Sequence, residues 1–475
     1  MISRAFVREL KRAVGSDLIL DKVEDRTCYG FDATGIFQLP DVVVCPTRPE
    51  HVVYVVRLAR REGLPITPRG AGTGYSGGAV PVRRGIVLAM ERMNRIESVS
   101  RADGVAVVEA GVVNGVLQQA ALRAGLFYPP DPASCEFSTL GGNIAECAGG
   151  PRALKYGVTR DYVAGLEFVT PEGALVRCGV LAEGSLAPYD LAGILSASEG
   201  TLGVITRCAL RVIPEPPHYR TLLFSFSRLS EAAEAVVLLT SANVVPSVVE
   251  LVDESCLKAV RSAGTSDLPI GEGQLLLVEV DGEEEEVEDT ARRVERVAEK
   301  AGCTGHWTSS SESERENIWS MRRAISPALA KLSPTKVNED VCVPRSQLSR
   351  LVGRIESLSR EHDLLIPVFG HAGDGNLHVN FMVDRNKAEQ MTRAERAVEG
   401  LLRATLDLGG TLSGEHGIGL SKAPFLEWEM GRSGLRLMHD VKGAVDPENL
   451  LNPGKVGPDG ATGGGSEGAR TSKCS

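Results

Sequence analysis

Between residues 70 and 78 the chain reads Gly70-Ala71-Gly72-Thr73-Gly74-Tyr75-Ser76-Gly77-Gly78. Glycine at this density opposes both helix and packed strand, because each glycine costs backbone entropy and brings no side chain to bury. The segment therefore has to be a loop, held by what flanks it. Before it stands a short extended piece, Pro65-Ile66-Thr67-Pro68-Arg69, and after Pro81 comes a β-like run from Gly85 to Met90. Residues 72–77 spell G-x-G-x-x-G, but a Rossmann phosphate turn requires a helix to open there. Gly78 and Pro81 leave no room for one. What survives is a property of glycine backbone: its N–H groups can approach an anion such as a pyrophosphate closely.

Two further loops have the same character. The stretch from Pro129 to Gly150 includes Thr139-Leu140-Gly141-Gly142-Asn143 and is too long and glycine-dense for a simple connection. The third is Ser198-Glu199-Gly200-Thr201-Leu202-Gly203-Val204-Ile205-Thr206. Three such loops among β-rich stretches predict a large nucleotide cofactor wrapped by backbone.

The chemistry-bearing residues lie elsewhere. Gly370-His371-Ala372-Gly373-Asp374-Gly375-Asn376-Leu377-His378-Val379-Asn380 and Ser413-Gly414-Glu415-His416-Gly417 hold three of the chain's 8 histidines. Two imidazoles and a carboxylate can hold a divalent metal with a position open for substrate, and a further histidine beside it is a ready proton acceptor. His371 and His378 do not have the i, i+4 spacing of a helical site. The spacing predicts a loop feeding a strand, with His378 and Asn380 on one face. Arg322, on a predicted helix with Ser326 one turn on, is a candidate carboxylate clamp because a guanidinium matches a carboxylate bidentately. Lys336 could add a second positive charge.

Composition narrows the frame. A chain of 475 residues, 43% hydrophobic, is long enough for two domains with cores of their own. A formal net charge of −10 gives no basic surface for nucleic acid or an anionic membrane. No apolar run reaches the roughly 18 residues that span a bilayer, and the first residues lack the apolar core of a secretion signal. The 10 cysteines are scattered without a C-x-x-C pair, which argues for reduced thiols in the cytoplasm and against an iron–sulfur or cysteine-zinc site. Residues 1–37 read as a helical lead-in. A change of character near Pro214-Glu215-Pro216-Pro217 marks a boundary. After it, strands alternate with amphipathic helices, which predicts an α+β domain with an antiparallel sheet and helices on one face. The Gly/Ser-rich tail, 457–475, is expected to be disordered.

Taken together and in order from Pro40 to Val456, these segments resemble the FAD-linked 2-hydroxy-acid dehydrogenases of the vanillyl-alcohol oxidase/PCMH superfamily. That group includes D-lactate dehydrogenase, the glycolate oxidase flavin subunit and D-2-hydroxyglutarate dehydrogenase. The resemblance rests on Pro68-Arg69-Gly70-Ala71-Gly72-Thr73-Gly74, Thr139-Leu140-Gly141-Gly142-Asn143, Lys155-Tyr156-Gly157, Ser198 to Gly203, the two histidine clusters and Asn452-Pro453-Gly454-Lys455.

The resemblance implies an α+β chain with a PCMH-type FAD-binding domain (38–216) and a substrate or cap domain (217–440) carrying a metal site. Residues 441–456 would return to the FAD site. FAD would be held by Arg69, Gly70, Ala71, Gly72, Thr73, Gly74, Ser76, Gly77, Asp131, Ser138, Thr139, Gly141, Gly142, Asn143, Glu199, Gly200, Gly203, Ile205 and Asn452. No histidine lies in the glycine loops, so the flavin is expected to be non-covalent. The family's metal ligands fall on His371, His378 and Glu415, with zinc the first expectation and manganese or iron the alternatives. Its base falls on His416 and its substrate contacts on Arg322, Ser326, Lys336 and Asn380. The implied reaction oxidises a D-2-hydroxy acid, D-lactate or glycolate first, D-2-hydroxyglutarate as alternative. Electrons would pass to an iron–sulfur subunit, an electron-transfer flavoprotein or a quinone-linked protein, the only route by which a membrane would be met. Homodimerisation is left open. Two rivals are a redox-neutral flavoenzyme of the same superfamily, whose run of adjacent histidines is missing, and a metal-dependent hydrolase, which leaves the glycine loops unexplained.

Overall fold

The computed structural model describes residues 2–181, 189–264 and 269–456; the tail 457–475 lies outside them. After the helix Arg4–Val14 comes a four-stranded sheet made of β1 (Ile19–Leu20), β2 (Val42–Val44), β3 (Ile66–Arg69) and β4 (Ile86–Ala89), in the order β1-β2-β4-β3. β2 and β3 run parallel to β4, and β1 pairs antiparallel with β2. The N-terminal lead-in is thus not all helix. Between β2 and β3 the helix Pro49–Glu62 starts on a proline, ends at Gly63 in the left-handed region, and buries Val52, Val55, Val56 and Ala59 against the sheet.

Five antiparallel strands follow in the order β5-β6-β10-β8-β9. They are β5 (Ile96–Ser100), β6 (Val105–Glu109), β8 (Val163–Val169), β9 (Leu175–Gly179) and β10 (Val204–Arg211). β7 (Leu126–Phe127) and β11 (Ile213–Pro214) pair beside them. The glycine loops lie at the ends of β3, β7 and the turn before β10.

From residue 218 onward, among the described residues, every strand joins one seven-stranded sheet: β12 (His218–Phe226), β13 (Val248–Val252), β14 (Gln274–Gly282), β15 (Gly305–Thr308), β16 (Thr335–Cys342), β17 (Val368–His371) and β18 (Asn376–Val383), in the order β15-β12-β14-β13-β17-β18-β16. All its pairings are antiparallel. Helices cover both faces, not one. Leu222, Phe224, Leu276 and Val278 pack under the helices Leu229–Ser241, Glu284–Lys300, Leu348–His362 and Ala388–Asp407. Their neighbours Leu223, Leu275 and Leu277 pack under Glu254–Ser262 and Glu312–Leu329. The reason is visible in the strands: Leu275-Leu276-Leu277-Val278 is apolar at consecutive positions, so both faces must be buried.

The last residues return to the first sheet. Leu450 and Leu451 join its core, and Asn452 donates its N–H to the Ile66 carbonyl.

Candidate active site

The second face of the seven-stranded sheet is apolar at one end and polar at the other. Side chains alternate along a strand. Leu377, Val379 and Phe381 enter the first core, so Asn376, His378 and Asn380 face the other way. The same parity puts Lys336, Asn338 and Asp340 of β16, Glu250 of β13 and His371 of β17 on that face. The β17–β18 turn closes at Gly375, whose φ of 89° and close approach to the Val343 carbonyl admit only glycine.

This hairpin brings His371 and His378 together, ring centroids 5.1 Å apart. Glu415 arrives on the 413–419 loop, with Oε1 3.2 Å from His371 Nε2 and 3.4 Å from His378 Nε2. One ligand atom from each of the three lies within 4.8 Å of the others. Among the described residues, His378 Nδ1 and Glu415 Oε2 are buried without a hydrogen-bond partner. Burial pushes His378 down to about 3, against the pull of Glu415, so its ring is neutral, the form that ligates a metal. A nitrogen–nitrogen–oxygen set with orphaned polar atoms fits a divalent ion.

The loop that carries Glu415 is wrapped around a carboxylate. The N–H groups of Gly414, Glu415 and His416 all donate to Asp340 Oδ2, at 2.8, 2.7 and 2.9 Å. Asp340 also accepts from Lys422 and faces His416 Nδ1 at 3.3 Å. Burial alone would raise Asp340, but His416, Lys422 and the loop amides pull it far below the carboxylate range. His416 is thereby oriented through Nδ1, leaving Nε2 for chemistry. Its ring lies between His378 (5.1 Å, 14°) and Tyr75 of the first glycine loop (5.0 Å, 25°). Glu199 of the third loop accepts from Ile418 and Gly419, both at 2.7 Å. The histidine loop is therefore pinned between a carboxylate from each half of the chain.

Beside this cluster opens a cavity walled by the three glycine loops, and Glu415 and His416 form part of its wall. Among the described residues, the backbone N–H groups of Ala71, Gly72, Thr73 and Gly74 donate to no protein acceptor. Residues 40–179 match the FAD binding domain family, and residues 215–456 match the FAD linked oxidases, C-terminal domain. The chain belongs to the FAD-linked oxidase family. It is 37% identical to the glycolate oxidase subunit GlcD of Bacillus subtilis, over 96% of this chain and 97% of that protein. It is 34% identical to a D-lactate dehydrogenase of Anaerostipes hadrus, over 88% of this chain and 89% of that one. Among solved structures, p-cresol methylhydroxylase with substrate bound superposes with a TM-score of 0.81 at 19% identity, covering 96% and 98% of the two chains, a likeness of fold. The protein is thus an FAD-dependent oxidoreductase, and a cavity lined by glycine-loop residues with unclaimed amides suits the cofactor's pyrophosphate.

Of the residues expected to hold FAD, Arg69, Gly70, Ala71, Gly72, Thr73, Gly74, Ser138, Thr139, Gly141, Gly142, Asn143, Glu199, Gly200, Gly203 and Ile205 line the cavity. Four stand behind its wall. The carbonyl of Ser76 takes the Leu420 N–H and Gly77 packs on the Leu420 side chain. Asp131 pairs with Arg152. Asn452 donates to the Gly78 and Glu199 carbonyls, tying two loops together. Arg69 lines the cavity while its guanidinium reaches back to the Phe31 carbonyl.

The four expected substrate residues lie on or against the same sheet face as the His/Glu cluster, already engaged. Arg322 is ion-paired with buried Glu250, Lys336 donates to Ser326 Oγ at 2.5 Å, and the Asn380 amide accepts from Asn338 and donates to the Pro367 carbonyl. Sequence reasoning missed Tyr75, Glu146, Glu250 and Asp340. Glu250 had a readable signal, a carboxylate inside the apolar run Val248–Val252; Asp340 sits in a polar stretch of its strand and had none, nor did Tyr75 and Glu146 beyond lying in glycine loops. Glu146 lines the cavity with Oε2 unpartnered among the described residues, and burial followed by the Glu199 charge pushes it well above the carboxylate range.

Proposed function

We propose that the protein oxidises a small D-2-hydroxy acid, D-lactate or glycolate, to the 2-oxo acid. The observation that carries this reading is that Glu415 and His416 share one wall with the flavin cavity. Bound in the cavity, FAD would supply the hydride acceptor, and His371, His378 and Glu415 would hold a divalent metal whose charge would make the substrate hydroxyl more acidic.

His416 takes the hydroxyl proton at Nε2. Asp340 on Nδ1 selects that tautomer and offsets the charge the ring gains. Arg322 gives one edge of its guanidinium to Glu250 and anchors the substrate carboxylate with Nη1. The Tyr75 ring covers the outer face of His416 and keeps water from it. Lys336, its Nζ 5.6 Å from the Tyr75 ring centroid, adds positive potential beside the same pocket. A separate acceptor of the iron–sulfur, flavoprotein or quinone-linked kind would take the electrons. Among the described residues no helix is long and apolar enough to cross a membrane.

The test is an anaerobic spectrum of the purified yellow protein with D-lactate, glycolate, D-2-hydroxyglutarate and L-lactate. D-lactate or glycolate is expected to bleach the flavin, and exhaustive chelation is expected to slow bleaching until zinc, manganese or iron is restored. Bleaching by L-lactate alone, or at the full rate after chelation, overturns the reading. Bleaching confined to D-2-hydroxyglutarate moves the substrate assignment.

A further inference from the structure

Glu250 is fully buried on β13, directly across from His371 in the ladder. Its two oxygens are divided. Oε1 receives His371 Nδ1, and Oε2 receives both Nε and Nη2 of Arg322. Arg322 is also buried, its guanidinium over the Phe369 ring at 4.7 Å. Glu250 itself does not line the flavin cavity. We propose that Glu250 is a positioning residue that sets the distance between metal and substrate anchor, by holding His371 with one oxygen and Arg322 with the other. The inference rests on the metal reading above.

For His371 to present Nε2 toward Glu415 and His378, its proton must sit on Nδ1. A buried carboxylate facing Nδ1 selects that tautomer and stops the ring from turning. For Arg322 to meet a carboxylate in one orientation, its plane must be fixed, and a two-nitrogen contact to Oε2 fixes it. One rigid carboxylate on a central strand therefore keeps metal site and anchor in register with the 2-hydroxyl and carboxylate of a single substrate. A buried ion pair is weak support for stability as such, so stability alone is a poor account of this arrangement.

The experiment uses the FAD-loaded protein, stripped of metal, and titrates zinc against a chromophoric chelator. Parent, Glu250→Ala and Glu250→Gln are compared, with flavin absorbance and melting as fold controls and kcat and KM for D-lactate at saturating zinc. Loss of a ligand's hydrogen-bond partner costs about 10–100-fold in metal affinity, and that loss is expected for Glu250→Ala together with a raised KM. Glu250→Gln keeps an acceptor for Nδ1 but loses the charge facing Arg322. It is expected to restore most of the zinc affinity while KM stays raised. A purely structural role would lower melting and leave that split absent. If Glu250→Ala keeps its flavin and binds zinc like the parent, the proposal is overturned. If Glu250→Ala does not fold, Glu250→Gln decides, and parent-like KM in that variant overturns it. A parent that binds none of zinc, manganese or iron overturns the metal reading, and this proposal with it, before any variant is compared.

Discussion

His416 and Asp340 offer the sharpest division of labour at the residue scale. A positioned base contributes typically about 10²–10⁴-fold. His416→Ala is expected to slow flavin reduction by that order in stopped-flow work, with substrate binding retained because Arg322 and the metal ligands are untouched. Asp340→Asn should slow reduction as well, since an amide can present its N–H to Nδ1 and favour the wrong tautomer. It should also loosen the 413–419 loop, because three loop amides and Lys422 lose a charged acceptor. Reduction at the parent rate in His416→Ala would remove it from the base role. The three histidines and Glu415 were conspicuous in sequence because they stand among glycines in a chain poor in histidine. Asp340 was not, because its partners are 73 to 82 positions away, a separation that no local pattern encodes.

At the scale of elements, the alternation of β18 was readable: an apolar residue at every second position from Leu377 predicts that His378 and Asn380 share a face, and they do. The 413–419 loop was readable only as glycine-rich. Its conformation depends on being clamped between Asp340 and Glu199, and Gly417 shows how tightly. Its φ is 84°, and a Cβ there would run into the carboxylates of Glu146 and Glu199. A left-handed conformation costs a non-glycine residue about 1–2 kcal/mol before any clash. Gly417→Ala is therefore expected to lower melting by several degrees and to lose zinc affinity and turnover together while keeping FAD absorbance, since the glycine loops of the first half are unchanged. Unaltered zinc binding would show that the clamp does not hold the ligand set. The same logic explains the helices on both sheet faces: two-sided burial is written in consecutive apolar residues of β12 and β14, a signal outweighed in sequence by the amphipathic helices between them.

Across the whole molecule, stability should carry the mark of buried carboxyls. Burial pushes Glu339 up to about 7, with Lys422 opposing and Asp340 adding to the rise. A carboxyl raised on folding binds its proton more tightly in the folded chain, so its contribution is complete below about 4.5 and is lost as pH rises toward 7. Glu339→Gln should flatten that part of the decline in melting temperature between pH 5 and 8 and leave the variant relatively more stable at pH 8. An unchanged slope would place the titration elsewhere. What the sequence by itself determined is local: three loops that only backbone-bound cofactor would justify, strand and helix periods, and a cluster of ligand-type residues whose kind limits the chemistry. Only the tertiary structure decided which of the expected FAD residues line the cavity: Asp131 is held by Arg152 and Asn452 by the Gly78 and Glu199 carbonyls, and neither is among the lining residues. It also decided that Glu250 and Asp340 stand behind the two histidines. These are contacts across a sheet and between two halves of the chain, made by packing between residues far apart in sequence.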